Sequence, residues 1–240
     1  MDENSQIIAP ANRCRLVLIR HGDGLRQQSR DALAAALLHG DVASLILSPV
    51  TANGLMDETE FSALVEPLVP VAQMAGVAVI IEHHSRVAGR TGADALQLGQ
   101  DPAELADAVS RLTPAMMVGA ANVKTRHNAL VLGETQPDYV MFGKTGADTR
   151  DEANPKNIEL GDWFSKLVEI PCIVLGGASV DSVVDVAKSG AEFVALDAAL
   201  DGFSPEGATI APQGGAMGAA IARANELLDK YAPRFDDDDV

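Results

Sequence analysis

The sequence predicts a single-domain α/β fold, a (β/α)8 barrel. Three observations support it: apolar runs of strand length alternate with helical segments about eight times, one type of turn returns between helix and strand, and 240 residues suit a single barrel. Hydrophobic residues form 47% of the chain and aromatic residues only 4%, which favours the Val-, Ile- and Leu-rich strands of a buried parallel sheet. Alternation alone does not separate a closed barrel from an open doubly wound sheet, which is the alternative fold.

The recurring turn is a small or turn-forming residue followed by an acid, placed between a helix and the next strand. It reads Gly92-Ala93-Asp94, Gln136-Pro137-Asp138 and Gly190-Ala191-Glu192. A repeated helix-to-strand turn is what successive βα units produce.

Eight apolar runs bounded by turn residues are predicted as strands. They lie at residues 15–19, 44–47, 77–81, 95–98, 115–118, 139–142, 171–175 and 193–196. The predicted helices lie at residues 29–38, 57–74, 101–112, 123–132, 158–168, 180–188 and 217–231, with 82–90 a polar connection or a short helix. Pro67 and Pro70 should interrupt the second helix, because proline lacks the N–H group that a helix interior needs.

The domain plan that follows has a loose lead-in over residues 1–13, the barrel over residues 14–232 and an acidic tail over residues 233–240. Two connections are long for an α/β unit, at residues 143–157 after strand six and 201–214 after strand eight. Both are predicted on the face where barrel enzymes place their sites, either as lids or as simple surface insertions.

The net charge of −16 argues against nucleic acid and anionic membranes as partners, since both select for clustered Lys and Arg. A phosphorylated small molecule would need additional local attraction from backbone N–H groups, a few cations or a metal.

The acidic start has no apolar signal-peptide core, and no segment approaches bilayer-spanning length. A cytoplasmic location is therefore expected. Cys14 and Cys172 are interpreted as reduced core residues, and a homo-oligomer is left open.

The paired glycines Gly176-Gly177, followed by Ala178, are the candidate anion site. They lie at the carboxyl end of predicted strand seven and before a helix that Ser179 can cap. Backbone without side chains can approach an anion closely and offer N–H groups to it. The alternative is that the glycines form only a tight turn.

Two histidine-containing stretches suggest other chemistry. The sequence from Leu16 to Gly22, LVLIRHG, resembles the phosphohistidine signature of the histidine phosphatase superfamily, with His21 as the nucleophile, but that family's continuation and second histidine motif are absent. Glu82-His83-His84 is the one local cluster of metal-capable side chains. If the strand continued, Glu82 and His84 would point to one face and His83 to the other, so two of them with Asp101 could hold a divalent ion. A solvated strand end is the alternative.

An ordered series of motifs resembles thiamine phosphate synthase and its TenI-like relatives over roughly residues 42–200. The series, read along the chain, is Gly92-Ala93-Asp94 with Leu98-Gly99-Gln100, then Met117 to Ala120, Asp138 to Gly143, Ile173 to Ala178 and Gly190 to Ala195. The resemblance implies a (β/α)8 barrel that uses Mg²⁺ to join a pyrimidine diphosphate to a thiazole phosphate and releases pyrophosphate.

The resemblance also assigns roles to residues of this chain. It implies phosphate binding at Gly176, Gly177 and Ala178. It implies a ligand-facing role for Gln100. Glu82 and His84, which replace the family's Asn and Arg, are further candidates for substrate contact, and His83 and Asp101 are the candidates for metal contact. Lys144 or Lys156 would substitute for the family's loop lysine.

Several family positions are changed in this sequence. The end of strand two, Ser48-Pro49-Val50, lacks the family's Arg and Lys, and Glu82-His83-His84 replaces an Asn-Asp-Arg motif. Asp197-Ala198 stands where the family has a serine, and an aspartate there would repel phosphate. The sequence therefore predicts a thiamine phosphate synthase-like protein, with a non-catalytic phosphate-binding or regulatory barrel as the alternative and no catalytic residue identified.

Overall fold

A computed structural model describes residues 11–202 and 215–235. Eight parallel strands form a closed barrel in which each strand pairs with the next along the chain and the last pairs with the first. The strands are β1 (Arg15–Arg20), β2 (Val42–Leu47), β3 (Ala78–Glu82), β4 (Ala95–Leu98), β5 (Met117–Ala120), β6 (Tyr139–Phe142), β7 (Cys172–Leu175) and β8 (Phe193–Leu196). Closure confirms the barrel and rules out the open sheet.

Helices surround the barrel. They are α1 (Gly22–Gln27), α2 (Arg30–Ala36), α3 (Glu58–Val65), α4 (Val69–Met74), α5 (Ser85–Thr91), α6 (Pro102–Leu112), α7 (Arg126–Gly133), α8 (Pro155–Ser165), α9 (Val183–Lys188), α10 (Ala199–Gly202) and α11 (Gly215–Tyr231). Short 3-10 turns at Leu37–His39 and Val180–Ser182 flank α2 and α9. Side-chain caps explain several starts: Asp101, Thr125 and Asn154 each accept a backbone N–H bond in the first turn that follows.

All eight predicted strands are present, with small shifts at their ends. The largest shift is in β5, predicted two residues early, because the N–H of Met116 still donates to the carbonyl of Leu112 at the end of α6. The predicted helix over residues 57–74 is two helices, α3 and α4, and Pro70 lies in the first turn of α4. Proline is tolerated there because N–H groups of the first turn have no hydrogen-bond partner within the helix. Sequence reasoning missed α1, α10 and a small hairpin that pairs Val50–Thr51 with Gly54–Leu55.

The core has two layers, and alternate residues of each strand contribute to them. Leu16 and Leu18 of β1 point outward and pack among the helices, whereas Val17 and Ile19 point into the barrel. The barrel interior also contains the ring of Tyr139, which lies against the backbone of Gly119. Cys14 and Cys172 are buried and free, as predicted.

No helix within residues 11–202 and 215–235 combines the length and apolarity needed to cross a membrane. Residues 1–10 of the predicted lead-in, residues 203–214 of the second long connection and residues 236–240 of the predicted tail lie outside the described residues.

Candidate functional site

Polar side chains gather at the carboxyl ends of the barrel strands. His21 follows β1, Glu82 ends β3 and Asp197 follows β8, while Asp148 reaches the same mouth from the connection between β6 and α8. Glu82, Asp148 and Asp197 are buried, with 5%, 7% and 4% of their surface exposed. Carboxylates this far removed from water need partners, and each has one.

His21 bridges the ends of β1 and β8. Its Nε2 lies 2.9 Å from Oδ2 of Asp197, and its Nδ1 lies 3.3 Å from the carbonyl oxygen of Val50. Both ring nitrogens face acceptors, so both must carry a proton to satisfy them, which favours the imidazolium. The hydrogen bond to Asp197 raises the pKa of His21 above its ordinary value, although burial opposes this.

Asp148 and Asp197 hold the connection between β6 and α8. Oδ2 of Asp148 accepts the backbone N–H of Ala198 at 2.7 Å, and Oδ2 of Asp197 accepts that of Gly146 at 3.1 Å. Burial, and then the nearby charge of Asp197, raise the pKa of Asp148 to about 6. The mouth therefore contains an acid with a pKa raised to about 6 beside a histidine that favours its charged form.

A chain of hydrogen bonds continues from this mouth into the barrel. Thr145 Oγ1 donates to Oε2 of Glu82 at 3.0 Å, and Nε2 of Gln97 donates to Oε1 of Glu82 at 3.2 Å. Tyr139 donates its hydroxyl to Oε1 of Gln97 at 3.3 Å. Complete burial and the charge of Glu82 raise the pKa of Tyr139 well above its ordinary value, so it acts as a donor.

Arg20 adds a buried cation at the end of β1. Its Nη1 lies 2.7 Å from Oδ1 of Asp201, and its Nη2 donates to the carbonyl of Gly24. Its Nε is buried without a partner among the described residues.

Residues 143–154, here called the β6–α8 segment, lie across the end of β7. The N–H of Ala178 donates to the carbonyl of Arg150, and the N–H of Ser179 donates to the carbonyl of Asp151 at 2.6 and 3.2 Å. A Cβ added to Gly177 would lie 2.2 Å from the carbonyl oxygen of Asp151. The predicted anion site is thus covered by backbone of the same chain, and phosphate binding there stays a prediction.

The other two N–H groups of this turn also have acceptors within the chain. Gly176 donates to the carbonyl of Ala195 at 2.8 Å as part of the barrel ladder, and Gly177 donates to Oγ of Ser182 at 2.8 Å. A cavity of about 510 Å³ is lined by the β6–α8 segment, the start of α8 and the end of β7. Its lining includes Asp148, Arg150, Asn154, Asn157, Leu175 and Gly176.

The remaining residues predicted to bind substrate are spread more widely. Gln100 accepts a hydrogen bond from Nδ2 of Asn128 at 3.1 Å and is half-buried. His84 packs its ring against Phe61, with 5.5 Å between ring centroids. Lys144 and Lys156 are both exposed, the first at the start of the β6–α8 segment and the second in the first turn of α8.

The predicted metal ligands do not form a ready site. β3 ends at Glu82, and His83 adopts a left-handed backbone conformation with a φ of 67°, so strand alternation does not extend to it. Asp101 uses Oδ1 to cap α6 through the N–H groups of Ala103 and Glu104. Within residues 11–202 and 215–235, no three His, Cys, Asp or Glu side chains come together as a metal site.

These observations make the described donor set a poor fit for Mg²⁺. That ion prefers several oxygen ligands in octahedral geometry. The oxygens of Glu82 are already bonded to Gln97 and Thr145, and imidazole, as in His83, suits softer metals. A magnesium requirement stays a prediction.

Sequence reasoning did not find Asp148 and gave different roles to two other residues of the mouth. His21 drew attention only through a phosphatase-like motif, and Asp197 only as a charge that would repel phosphate. Their pairing joins residues 176 positions apart, a contact that no local pattern reports. The sequence signal that was available is an acid in the connection after β6 and another directly after β8, because the carboxyl ends of barrel strands meet on one face.

Comparison with known proteins gives consistent matches. A family model described as thiamine monophosphate synthase matches residues 16–200. A thiamine-phosphate synthase of Rhodospirillum centenum is 34% identical over 184 residues, which cover 76% of this chain and 87% of that protein. One of Hyphomonas neptunium is 32% identical over 193 residues, covering 80% and 87%.

Among solved structures, a thiamine phosphate pyrophosphorylase from Pyrococcus furiosus superposes with a TM-score of 0.69 at 19% identity, covering 92% of this chain and 98% of that one. At such low identity the superposition supports the barrel fold alone.

Proposed function

The chain belongs to the thiamine monophosphate synthase family, and from this premise we propose that it joins a hydroxymethylpyrimidine diphosphate to a thiazole phosphate and releases pyrophosphate. The observation that carries the proposal is the extent of the match. Residues 16–200 run from the second residue of β1 past the end of β8, so the match includes every strand end that forms the mouth. Substrates of the family are phosphorylated small molecules.

The carboxyl-end mouth is the place we assign to the substrates. It adjoins the cavity beside Gly176, and the N–H groups of Ala178 and Ser179 point from the end of β7 toward the β6–α8 segment. Backbone N–H groups bind phosphate without needing a side-chain charge. That property matters in a chain with a net charge of −16, which repels anions at long range.

Departure of pyrophosphate concentrates negative charge on the leaving oxygen, and catalysis requires that charge to be stabilised. Two cations lie at the mouth, the guanidinium of Arg20, which is paired with Asp201, and the imidazolium of His21, which is paired with Asp197. They stand at the end of β1, whereas the arginine and lysine that the family places after β2 are absent. We propose that these two residues supply part of the missing positive charge.

Magnesium would add further charge stabilisation when bound, but the described residues do not fit it well. The cytoplasmic location also remains a proposal.

The experiment is release of pyrophosphate from the two substrates in the presence of Mg²⁺. Wild-type protein is compared with His21→Gln, which removes the cation, and with His127→Gln, an exposed histidine of α7. We expect turnover by the wild type and by His127→Gln, and a reduction of about tenfold or more for His21→Gln. No turnover at high protein concentration rejects the synthase. Calorimetric binding of thiazole phosphate without turnover would instead support the non-catalytic barrel.

A further inference from the structure

The β6–α8 segment places its own oxygen atoms where a phosphate would have to bind. Carbonyl oxygens of Arg150 and Asp151 accept the N–H groups of Ala178 and Ser179. A phosphate at the same N–H groups would put its oxygens in these two positions. Gly177 has no side chain, and the space this leaves is filled by the carbonyl of Asp151 rather than left open for a ligand.

We infer that the β6–α8 segment is an autoinhibitory strap, which mimics a bound anion at the end of β7 and must move away before a phosphorylated ligand can bind. The inference rests on the proposed function for the identity of the ligand. It adds a closed state, held by contacts within the chain, to the anion site.

The contacts that hold the strap are mostly polar. Thr145 bonds to Glu82, the N–H of Gly146 to Asp197, and Asp148 to the N–H of Ala198. Ala153 is the one apolar residue of the segment that is fully buried, so little hydrophobic surface is exposed when the segment leaves. Segments with few buried apolar contacts are the ones that open locally without global unfolding.

A tight turn at the start of the segment sets its path. The N–H of Ala147 donates to the carbonyl of Lys144, and Gly146 has a φ of +75°. Positive φ at this third position of a turn favours glycine. A Cβ on Gly146 would also lie 3.1 Å from Cε1 of His21. The closed state therefore depends on the absence of a side chain at residue 146.

Opening and binding are linked through the fraction of molecules that are open. A ligand that binds only the open state has an apparent affinity reduced by that fraction. Any change that weakens the closed state should therefore increase the affinity for an anion. The same change should speed hydrogen exchange at the N–H groups of Ala178 and Ser179. A surface segment that does not cover the anion site would not produce both effects.

The test uses Gly146→Ala, with Gly92→Ala as the matched control. Gly92 also has a positive φ, of 68°, but it ends α5 away from the segment, and a Cβ there meets nothing within 4 Å. Both variants carry the same kind of backbone strain. Only Gly146→Ala strains the closed segment.

Two readouts are compared in the full-length protein: NMR hydrogen exchange of the Ala178 and Ser179 amides, and titration with inorganic phosphate. For Gly146→Ala we expect exchange to speed up about five- to thirtyfold and phosphate to bind more tightly by a similar factor, the range that left-handed strain at a non-glycine residue gives. For Gly92→Ala both quantities should stay at their wild-type values.

Unchanged exchange in Gly146→Ala would overturn the inference, as would faster exchange with no gain in phosphate affinity. Turnover is measured separately. If phosphate affinity rises while neither variant nor wild type releases pyrophosphate, the strap stands and the proposed synthase activity fails.

Discussion

His21 donates to Asp197 across the seam where the first and last strands of the barrel meet, with 2.9 Å between Nε2 and Oδ2. The same carboxylate oxygen accepts the N–H of Gly146. The charge of the histidine therefore stabilises an aspartate that also anchors the β6–α8 segment. Asp148, the second anchor, lies close enough to Asp197 for its pKa to be raised by that charge, in addition to the larger effect of burial.

This arrangement predicts that the closed segment is most stable in acid. His21 and Asp148 both have raised pKa values, so each binds its proton more tightly in the closed protein than in the unfolded chain. The contribution of His21 is complete below its ordinary value of 6.5 and is lost as the pH rises through its raised pKa. That of Asp148 is complete below 3.8 and is lost as the pH rises through about 6.

Protection factors of the Ala178 and Ser179 amides should accordingly fall as the pH rises through about 6, where Asp148 loses its proton. Asp197 is the charged group that faces both His21 and Asp148, and the carbonyl of Val50 also faces His21. Arg20 is paired separately, with Asp201. Asp148→Asn keeps an acceptor for Ala198 without the titrating charge, so its profile should lose the change near pH 6. Protection that rises with pH in the wild type would contradict this account.

A side chain at residue 177 should disrupt the closed segment. In Gly177→Ala the new Cβ meets backbone atoms of Asp151 and Glu152, the closest at 2.2 Å, and backbone cannot rotate away as a side-chain tip does. We expect the free energy of unfolding to fall by about 1–3 kcal/mol, the usual cost of overpacking, measured by denaturant titration. Gly99→Ala is the control, because a Cβ there meets nothing within 4 Å. Equal stability of the two variants would mean that the β6–α8 segment moves aside with little loss of free energy of unfolding.

The barrel could be predicted from the sequence because its signals are local. Apolar runs such as those of β4 and β6 are bounded by turn residues, and both were placed without error at their ends. α1 was missed because its sequence, GDGLRQ, has two glycines and little helical preference. The carbonyl oxygen of Asp151 covers Gly177 although the two residues are far apart in sequence. Every residue has a carbonyl oxygen, so no residue type in the sequence indicates this contact.

Gly119 is required by the aromatic ring inside the barrel. A Cβ at this position would lie 2.0 Å from the ring of Tyr139, whose hydroxyl begins the hydrogen-bond chain to Gln97 and Glu82. Gly119→Ala should destabilise the protein by about 2–4 kcal/mol, since the ring would have to move and a displaced hydroxyl leaves buried polar atoms unpaired.

The matched control is Gly89→Ala in α5, where a Cβ meets nothing within 4 Å. That variant should be more stable than the wild type by roughly 0.5–1 kcal/mol, because glycine is a poor residue in a helix. Thermal unfolding of the three proteins gives both values, and a stability of Gly119→Ala equal to that of the wild type would show that the ring can move aside.

Asp101 has a structural role that can be separated from any role in metal binding. Its carboxylate caps α6, and asparagine caps helices as well as aspartate does. Asp101→Ala should therefore lose about 1 kcal/mol of stability while Asp101→Asn loses little. If Asp101 also contacts Mg²⁺, the asparagine variant should keep its stability but need more Mg²⁺ for turnover; a loss of stability in Asp101→Asn would contradict the capping role.

The two cysteines should resist alkylation in the native protein. Burial raises the pKa of Cys14 to about 12 and that of Cys172 well above its ordinary value, and 1% and 0% of their surfaces are exposed. The thiolate is the reactive form, so neither access nor ionisation favours reaction. Mass spectrometry after iodoacetamide treatment near neutral pH should find no label without denaturant and two labels per chain after unfolding, the full complement of thiols. Rapid native labelling of Cys172 would show that the β7 end of the barrel opens far more readily than its closed contacts imply.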